Sequence, residues 1–315
     1  MRFKPLMTLA LLTLASAALF MTWNLGENRA FLLAFRGEKL WNLALIGATI
    51  GVSTVVFQTL TNNRILTPAV IGLDSLYLFI QVSLIYWLGG NGYHQLHPIG
   101  RFFANSLAML LLAALLFLGL MPLLQRDLYR LLLLGVVFGV LCRNLEEFFG
   151  RLLEPAEYAF AQDLSFAQFD TVRFGGQLLW PATVVMLLAL AHFWRKRHLL
   201  DVLALGREAA ISLGVNYRRE MTGLLLLVSL LVAVSTALVG PVLFFGLLLN
   251  ALTYRLCPSS QHRLLLPVSA LLGVLMLTLG QSLFEHLFHF KASLAVVVEG
   301  LGGLLFIHLL LRGKK

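Results

Sequence analysis

Charge is what this sequence lacks most. Charged side chains make up 12% of the 315 residues, against about 25% in an ordinary soluble domain. Apolar residues fill the difference, at 59% against roughly 45–50%. That balance excludes a soluble enzyme, a disordered tail and a nucleic-acid binder. Cysteine is nearly absent: Cys142 and Cys257 stand far apart, with no Cys-x-x-Cys or other metal-ligand spacing. No Gly-x-x-x-x-Gly-Lys-Ser/Thr loop occurs, so the chain supplies no phosphate cradle of that type. His-Glu-x-x-His, Gly-x-Ser-x-Gly and a facing aspartate pair are missing as well, which leaves no intramembrane catalytic group in view. Two His-x-x-His spacings, His94/His97 and His286/His289, lack a nearby carboxylate triad, and His97 precedes Pro98. They read as interfacial histidines, and no metal or other cofactor is expected.

What the chain has is long apolar runs. A hydrocarbon core about 30 Å thick takes about 20 apolar residues per helix. The runs lie at Pro5–Trp23, Trp41–Leu60, Pro68–Leu88, Phe103–Leu124, Leu131–Leu145, Leu178–Trp194, Met221–Val239, Pro241–Leu256, Leu264–Leu283 and Ser293–Leu311. The sequence therefore predicts an all-α polytopic membrane protein with about ten transmembrane helices, in a single transmembrane domain over residues 1–315. Arg2, Lys4 and Ala15-Ser16-Ala17 resemble a secretory signal, but the first run continues past that site to Trp23, which favours an uncleaved span. With the N-terminus inside, cytoplasmic segments hold sixteen lysines and arginines and outer segments eight. This asymmetry satisfies the positive-inside rule, and an even span count returns the C-terminus to the cytoplasm. The net charge of +9 is thus a topology signal.

Two loops are longer than connections need to be. The outer segment 150–177 carries Tyr158, Phe160, Leu164, Phe166 and Phe169 among acids and glutamines, as one face of a surface helix would. The inner segment 195–220 is basic, and within it residues 199–215 suit two short amphipathic helices broken at Gly206 and ended at Gly214. That element could dock a cytoplasmic partner or anchor at anionic lipid. Ionisable residues within the spans are few: Asp74, Arg143 with Glu146 and Glu147, and Glu299. Each carries a functional hypothesis because charge in hydrocarbon is costly. Arg143 and Glu147, four apart, could pair along a helix face. Gly47, Gly51, Gly135, Gly139, Gly240 and Gly246 fit close helix packing.

Four ordered blocks resemble the FecCD family, the permeases of iron-siderophore, haem and vitamin B12 ATP-binding-cassette (ABC) importers. The first is the small-residue helix from Gly47 through Gln58, a turn at Asn63, then Pro68-x-x-x-Gly72, with Arg64 where the family has proline. The second, Leu203-Ala204-Leu205-Gly206-Arg207-Glu208-Ala209-Ala210-Ile211-Ser212-Leu213-Gly214, is similar to the family's cytoplasmic coupling segment. The third is Gly240-Pro241-Val242-Leu243-Phe244-Phe245-Gly246-Leu247, and the fourth His262-Arg263-Leu264-Leu265-Leu266-Pro267. Asn250 and Ala251 replace a Pro-His pair usual in the eighth span, leaving Arg255. The turn at Phe290–Leu294 lacks the family's usual Glu-x-Pro-x-Gly. The variant from Thr61 to Tyr77 looks like a subgroup that imports catecholate-type ferric siderophores as heterodimers.

The resemblance implies a type II ABC importer permease in a bacterial inner membrane, itself not an enzyme. Its partners would be a second permease, two cytoplasmic ATPases and an outer siderophore-binding protein, with a ferric siderophore as cargo and lipid around it. Haem or B12 is the alternative cargo, and an ion-coupled carrier the rival mechanism. By resemblance, Leu203, Leu205, Gly206, Glu208, Leu213 and Gly214 couple to the ATPase, with the leucines as apolar anchors. Asn63, Ile65, Leu128 and Tyr129 match the inner gate. Gln58, Pro68, Gly72, Gly240, Pro241 and Gly246 belong to the packing motifs. From charge and placement, Arg29, Arg36, Lys39 and Lys291 are candidates for docking the binding protein.

Overall fold

Apolar runs in hydrocarbon cannot leave main-chain amides unpaired, and a helix closes those hydrogen bonds within the segment. The computed structural model describes residues 4–23, 29–120, 128–169, 175–257, 259–287 and 294–312, and among them no strand occurs. The helices are α1 (Lys4–Thr22), α2 (Arg29–Thr61), α3 (Leu73–Gln95), α4 (Pro98–Ala114), α5 (Leu128–Gly150), α6 (Pro155–Asp163) and α7 (Gly175–Arg195). They continue as α8 (Arg197–Leu203), α9 (Arg207–Ser212), α10 (Tyr217–Val239), α11 (Phe245–Leu256), α12 (His262–Leu287) and α13 (Leu294–Arg312). Each of the ten expected runs contains a helix.

Among the described residues, six helices are long and apolar enough to cross a membrane: α2, α3, α4 with its π-helical continuation to Leu120, α5, α10 and α12. The other four apolar runs correspond to α1, α7, α11 and α13. At 12 residues α11 is only about 18 Å long, short of the hydrocarbon thickness. Helix α2 begins at Arg29, earlier than Trp41, because Arg29–Leu40 is rich in leucine, alanine and other helix formers. The expected outer helix is also shorter than the amphipathic pattern, with α6 covering Pro155–Asp163. It lies against α3, where Ala161 and Leu164 join Val82, Ile85 and Tyr93 in a small core of their own. Tyr158 and Phe166 stay exposed. Residues 170–174 lie outside the described residues.

Burial sorts the helices into layers. The apolar window of α2 is 83% buried, those of α10 and α12 are 67% and 61%, and those of α4 and α5 only 28% each. Helices α2, α10 and α12 therefore form the centre, with α4 and α5 presenting broad apolar faces outward. The α2–α12 seam is built from small residues. A Cβ on Gly47 would come 2.5 Å from the carbonyl carbon of Gly273, and one on Gly51 would come 2.5 Å from the Ser269 oxygen. Such seams let dispersion act between main chains where lipid offers no hydrophobic drive for helix pairing.

Candidate functional site

Two breaks in the helical pattern shape the interior. At the first, Pro68 opens a short 3-10 turn, Pro68–Ile71, and Gly72 leaves it with φ 84° before α3 starts. A Cβ on Gly72 would lie 2.9 Å from the Gly135 oxygen and from the Gly139 Cα, so the Pro-x-x-x-Gly turn is seated directly on α5. At the second, Gly240 ends α10 with φ 94°, and α11 does not begin until Phe245. Gly246 faces the Thr54 hydroxyl at a separation that leaves no room for a methyl group. Unwound backbone at membrane depth is tolerated where it lines a cavity, and Pro241 and Leu243 do so here.

That cavity has a volume of about 400 Å³ and is walled by α3, α5, α6, α13 and the Gly240–Phe244 break. Four carboxylates, Asp74, Glu146, Glu147 and Glu299, line it with a single guanidinium, Arg143. Asp74 is 5% exposed and accepts a hydrogen bond from the Thr236 hydroxyl at 3.0 Å, which ties the start of α3 to the end of α10. The Glu299 Oε1 is buried with no hydrogen-bond partner. Among the described residues no ion pair joins Arg143 to Glu147; both line the cavity. A chamber of this polarity inside an apolar bundle suits a hydrated polar solute.

A second cavity, of about 380 Å³, is walled by residues from the end of α2, the loop after it, α8, α11 and the start of α12. Gln58 organises this region. Its amide nitrogen donates to the Arg64 carbonyl at 2.7 Å, and its oxygen accepts from the Asn250 side chain at 3.2 Å. The guanidinium of Arg64 lies 4.6 Å from the centre of the Tyr254 ring. Asn250, a departure from the family pattern, thus has a defined role as the α11 partner of Gln58. The Asn63 side chain accepts from the Ile65 amide at 2.9 Å, holding the turn that follows Asn62 at φ 49°. At the start of α5, Leu128 is half-buried and Tyr129 is 75% exposed.

The hairpin after α7 has the two short helices expected of it, α8 and α9, separated by Gly206 at φ 96° and ended by Gly214 at φ 81°. No atom crowds a Cβ at either glycine, so backbone geometry alone requires them. Leu205 and Leu213 are 65% and 63% exposed, and Ile211, which the sequence reading did not single out, is 52% exposed. Leu203 is a correction: it is 4% exposed and belongs to the protein's own core, so it anchors the hairpin and presents nothing to a partner. The physical reason is the helix period, which turns Leu200 and Leu203 to one face of α8 while the Leu205 turn projects outward. Glu208 opens α9 on the exposed side. Asp201 was also missed: it joins His262 by hydrogen bonds of 2.7 Å to both the backbone amide and the ring Nδ1.

The cations expected on the outer side separate into different situations. Arg29 is exposed at the start of α2. Arg36 donates to the main-chain oxygens of Phe20, Met21 and Trp23, where it caps the end of α1. Lys39 is the second correction: it is 4% exposed and forms an ion pair with Glu285 of α12, so it is not a free surface cation. Pairing inside the bundle relieves the cost of a buried charge, which charge counting along the sequence does not reveal. Lys291 lies outside the described residues. No cluster of metal-ligating side chains occurs among the described residues.

The comparison with known proteins decides the family. The FecCD transport family model matches residues 6–312. The chain belongs to the FecCD transport family. It is 38% identical over 304 residues to the petrobactin import system permease protein YclO of Bacillus subtilis, covering 96% of each chain. It is 30% identical to the petrobactin import permease FatC of Bacillus anthracis, covering 91% of this chain and 81% of FatC. The vitamin B12 import permease BtuC of Vibrio cholerae is 31% identical, covering 93% of this chain and 86% of BtuC. A solved structure of a metal-chelate-type ABC transporter, in an inward-facing conformation, superposes with TM-score 0.83 at 22% identity over 99% of this chain and 100% of that one. The fold of this FecCD protein is therefore the type II ABC importer permease fold. As a FecCD permease it is a membrane transport subunit and not an enzyme, and it works with ATPase and binding-protein partners.

Proposed function

We propose that this chain is one of two unlike permease subunits that import a catecholate-type ferric siderophore across a bacterial cytoplasmic membrane. The observation that carries the reading is the 38% identity to a petrobactin import permease over 96% of the chain, with a second petrobactin permease also matching. The whole chain acts as one permease domain, with both termini in the cytoplasm, as the lysine and arginine asymmetry supports. The acidic cavity around Asp74 and Glu299 is part of the cargo's route, and the Gly240–Phe244 break gives it a backbone wall.

ATP is hydrolysed on the partner subunits. Closure of those ATPases moves the α8–α9 hairpin, whose exposed Leu205, Ile211 and Leu213 form its docking face, with Gly206 and Gly214 setting the shape and Glu208 at its edge. The movement switches the bundle between two rigid-body states. Asn63 and Ile65, with Leu128 and Tyr129, form the inner gate. At the outer surface Arg29 and Lys291 contribute to docking the binding protein, and Arg36 does so only through its cap on α1.

The test is reconstitution of this chain with its neighbouring permease, ATPases and binding protein in vesicles. ATP-dependent accumulation of ferric petrobactin or a related catecholate is the expected result. The resemblance to BtuC supports cobalamin as a second cargo to assay. Uptake of cobalamin alone would replace the siderophore reading. Uptake that persists without ATPases and collapses with an uncoupler would replace the importer reading altogether.

A further inference from the structure

The hairpin is not held to the bundle by apolar packing alone. His262 is the first residue of α12, and its side chain is almost wholly enclosed, at 1% exposure. The Asp201 carboxylate of α8 accepts from both the His262 backbone amide and its ring Nδ1 at 2.7 Å. On the other side of the same ring, Nε2 lies 2.7 Å from the Thr59 hydroxyl of α2. A carboxylate only accepts, so the ring hydrogen is on Nδ1. In the neutral ring Nε2 is then the acceptor, and the single Thr59 hydroxyl hydrogen is shared between this contact and the Val55 carbonyl 2.9 Å away. One imidazole thus bridges the hairpin to α2, and Thr59 adjoins Gln58, which holds the Arg64 carbonyl and the Asn250 side chain.

We propose that Asp201, His262 and Thr59 form the latch that carries displacement of the ATPase-docking hairpin to the inner-gate loop of α2. This rests on the importer reading given above. The three are positioning residues: none touches nucleotide, and they act through Gln58 and the turn at Asn62–Arg64. Apolar contacts between α8 and its neighbours can slide, because dispersion has little directional preference. Hydrogen bonds of 2.7 Å at both ring nitrogens and the backbone amide fix position as well as distance. The imidazole on which they converge is enclosed, so water competes poorly at its two nitrogens, although the Asp201 carboxylate itself is 32% exposed. Lys196, just before α8, also pairs with Glu220 of α10 at 2.9 Å. There both partners reach solvent, at 35% and 27% exposure, whereas the His262 side of the Asp201–His262 pair is enclosed at 2%, so the Lys196 contact serves as the more compliant pivot.

The experiment uses the complete complex in proteoliposomes, with radioactive ferric petrobactin inside the donor compartment, and reads cargo moved, ATP hydrolysed and ATPase subunits retained. For Asp201→Ala and His262→Ala the expected result is full retention of the ATPases, hydrolysis within about twofold of wild type, and cargo moved per ATP reduced at least tenfold. Thr59→Val should share that phenotype, whereas Thr59→Ser, which keeps the hydroxyl, should restore transport. The Asp201→Ala/His262→Ala double variant should be no worse than either single one, since both break the same link. Lys196→Met should leave cargo per ATP within twofold. Wild-type cargo per ATP in Asp201→Ala overturns the latch, as does loss of the ATPases in step with transport, which would make the contact one of docking only. A wild-type complex that hydrolyses ATP and moves no cargo would instead overturn the importer reading, and the latch with it.

Discussion

Gly47 and Gly273 meet main chain to main chain, so that a Cβ on either one would fall on the carbonyl group of the other. This contact sets how closely the central helix α2 approaches α12. Replacing Gly47 by valine should force the pair apart and cost about 1–3 kcal/mol of stability, the usual range for overpacking a tight interior. Gly223 in α10 is the control: nothing lies within 4 Å of its added Cβ, and Gly223→Ala should be neutral or slightly stabilising. Thermal unfolding of the two purified variants in detergent distinguishes these outcomes.

The buried Lys39–Glu285 pair should behave as structure rather than as a docking site. Lys39→Ala alone leaves the Glu285 carboxylate without a counter-charge, held by the Gln281 amide, and should cost about 3–5 kcal/mol. A Lys39→Met/Glu285→Leu double variant should recover most of that loss. Binding-protein affinity, measured by surface immobilisation of the complex, should be unchanged in the double variant. A large affinity loss with stability intact would return Lys39 to the docking surface.

The exposed and buried leucines of the hairpin should separate two kinds of failure. Leu205→Asp and Leu213→Asp place charge on the docking face and should abolish ATP-driven uptake while the purified permease keeps its melting temperature. Leu203→Asp puts a charge into the core and should lower expression and thermal stability outright. Co-purification of the ATPases alongside melting curves reads both effects. An Ile211→Asp variant should group with Leu205→Asp, since Ile211 shares the exposed face.

Gln58 holds two partners at once, so its removal strands both. Gln58→Ala leaves the buried Asn250 amide without its bond, at about 1–3 kcal/mol, and also frees the carbonyl of the exposed Arg64, whose bond fixes the loop after α2. Asn250→Ala strands only one and should cost less. If the two variants melt together, the Arg64 carbonyl has found another donor and Gln58 is not the organising residue of that loop.

The class of the protein was readable along the chain because hydrocarbon imposes a one-dimensional rule: a spanning helix needs a continuous apolar run, and ten such runs each contain a helix. The glycines at 47 and 72 were legible for the same reason, since small residues at a seam or a turn leave a local mark. Lys39 was misplaced because a lysine near a span end has the same appearance whether it faces water or a carboxylate on α12, 246 residues away. Asp201 was passed over because its meaning depends on His262, which belongs to a different motif block. Asn250 looked like a simple departure until its partner Gln58 came within bonding distance.

Composition and hydropathy by themselves determined that this is a helical membrane protein. The motif order added its resemblance to a transport family, because each of these features is carried by neighbours in sequence. Only the tertiary structure decided which leucines of the hairpin face outward, which cations are spent on internal pairs, and how one buried imidazole joins three helices. Those outcomes depend on which distant side chains come within about 3 Å of one another, and that distance is set by how helices pack rather than by the order of residues along any one of them.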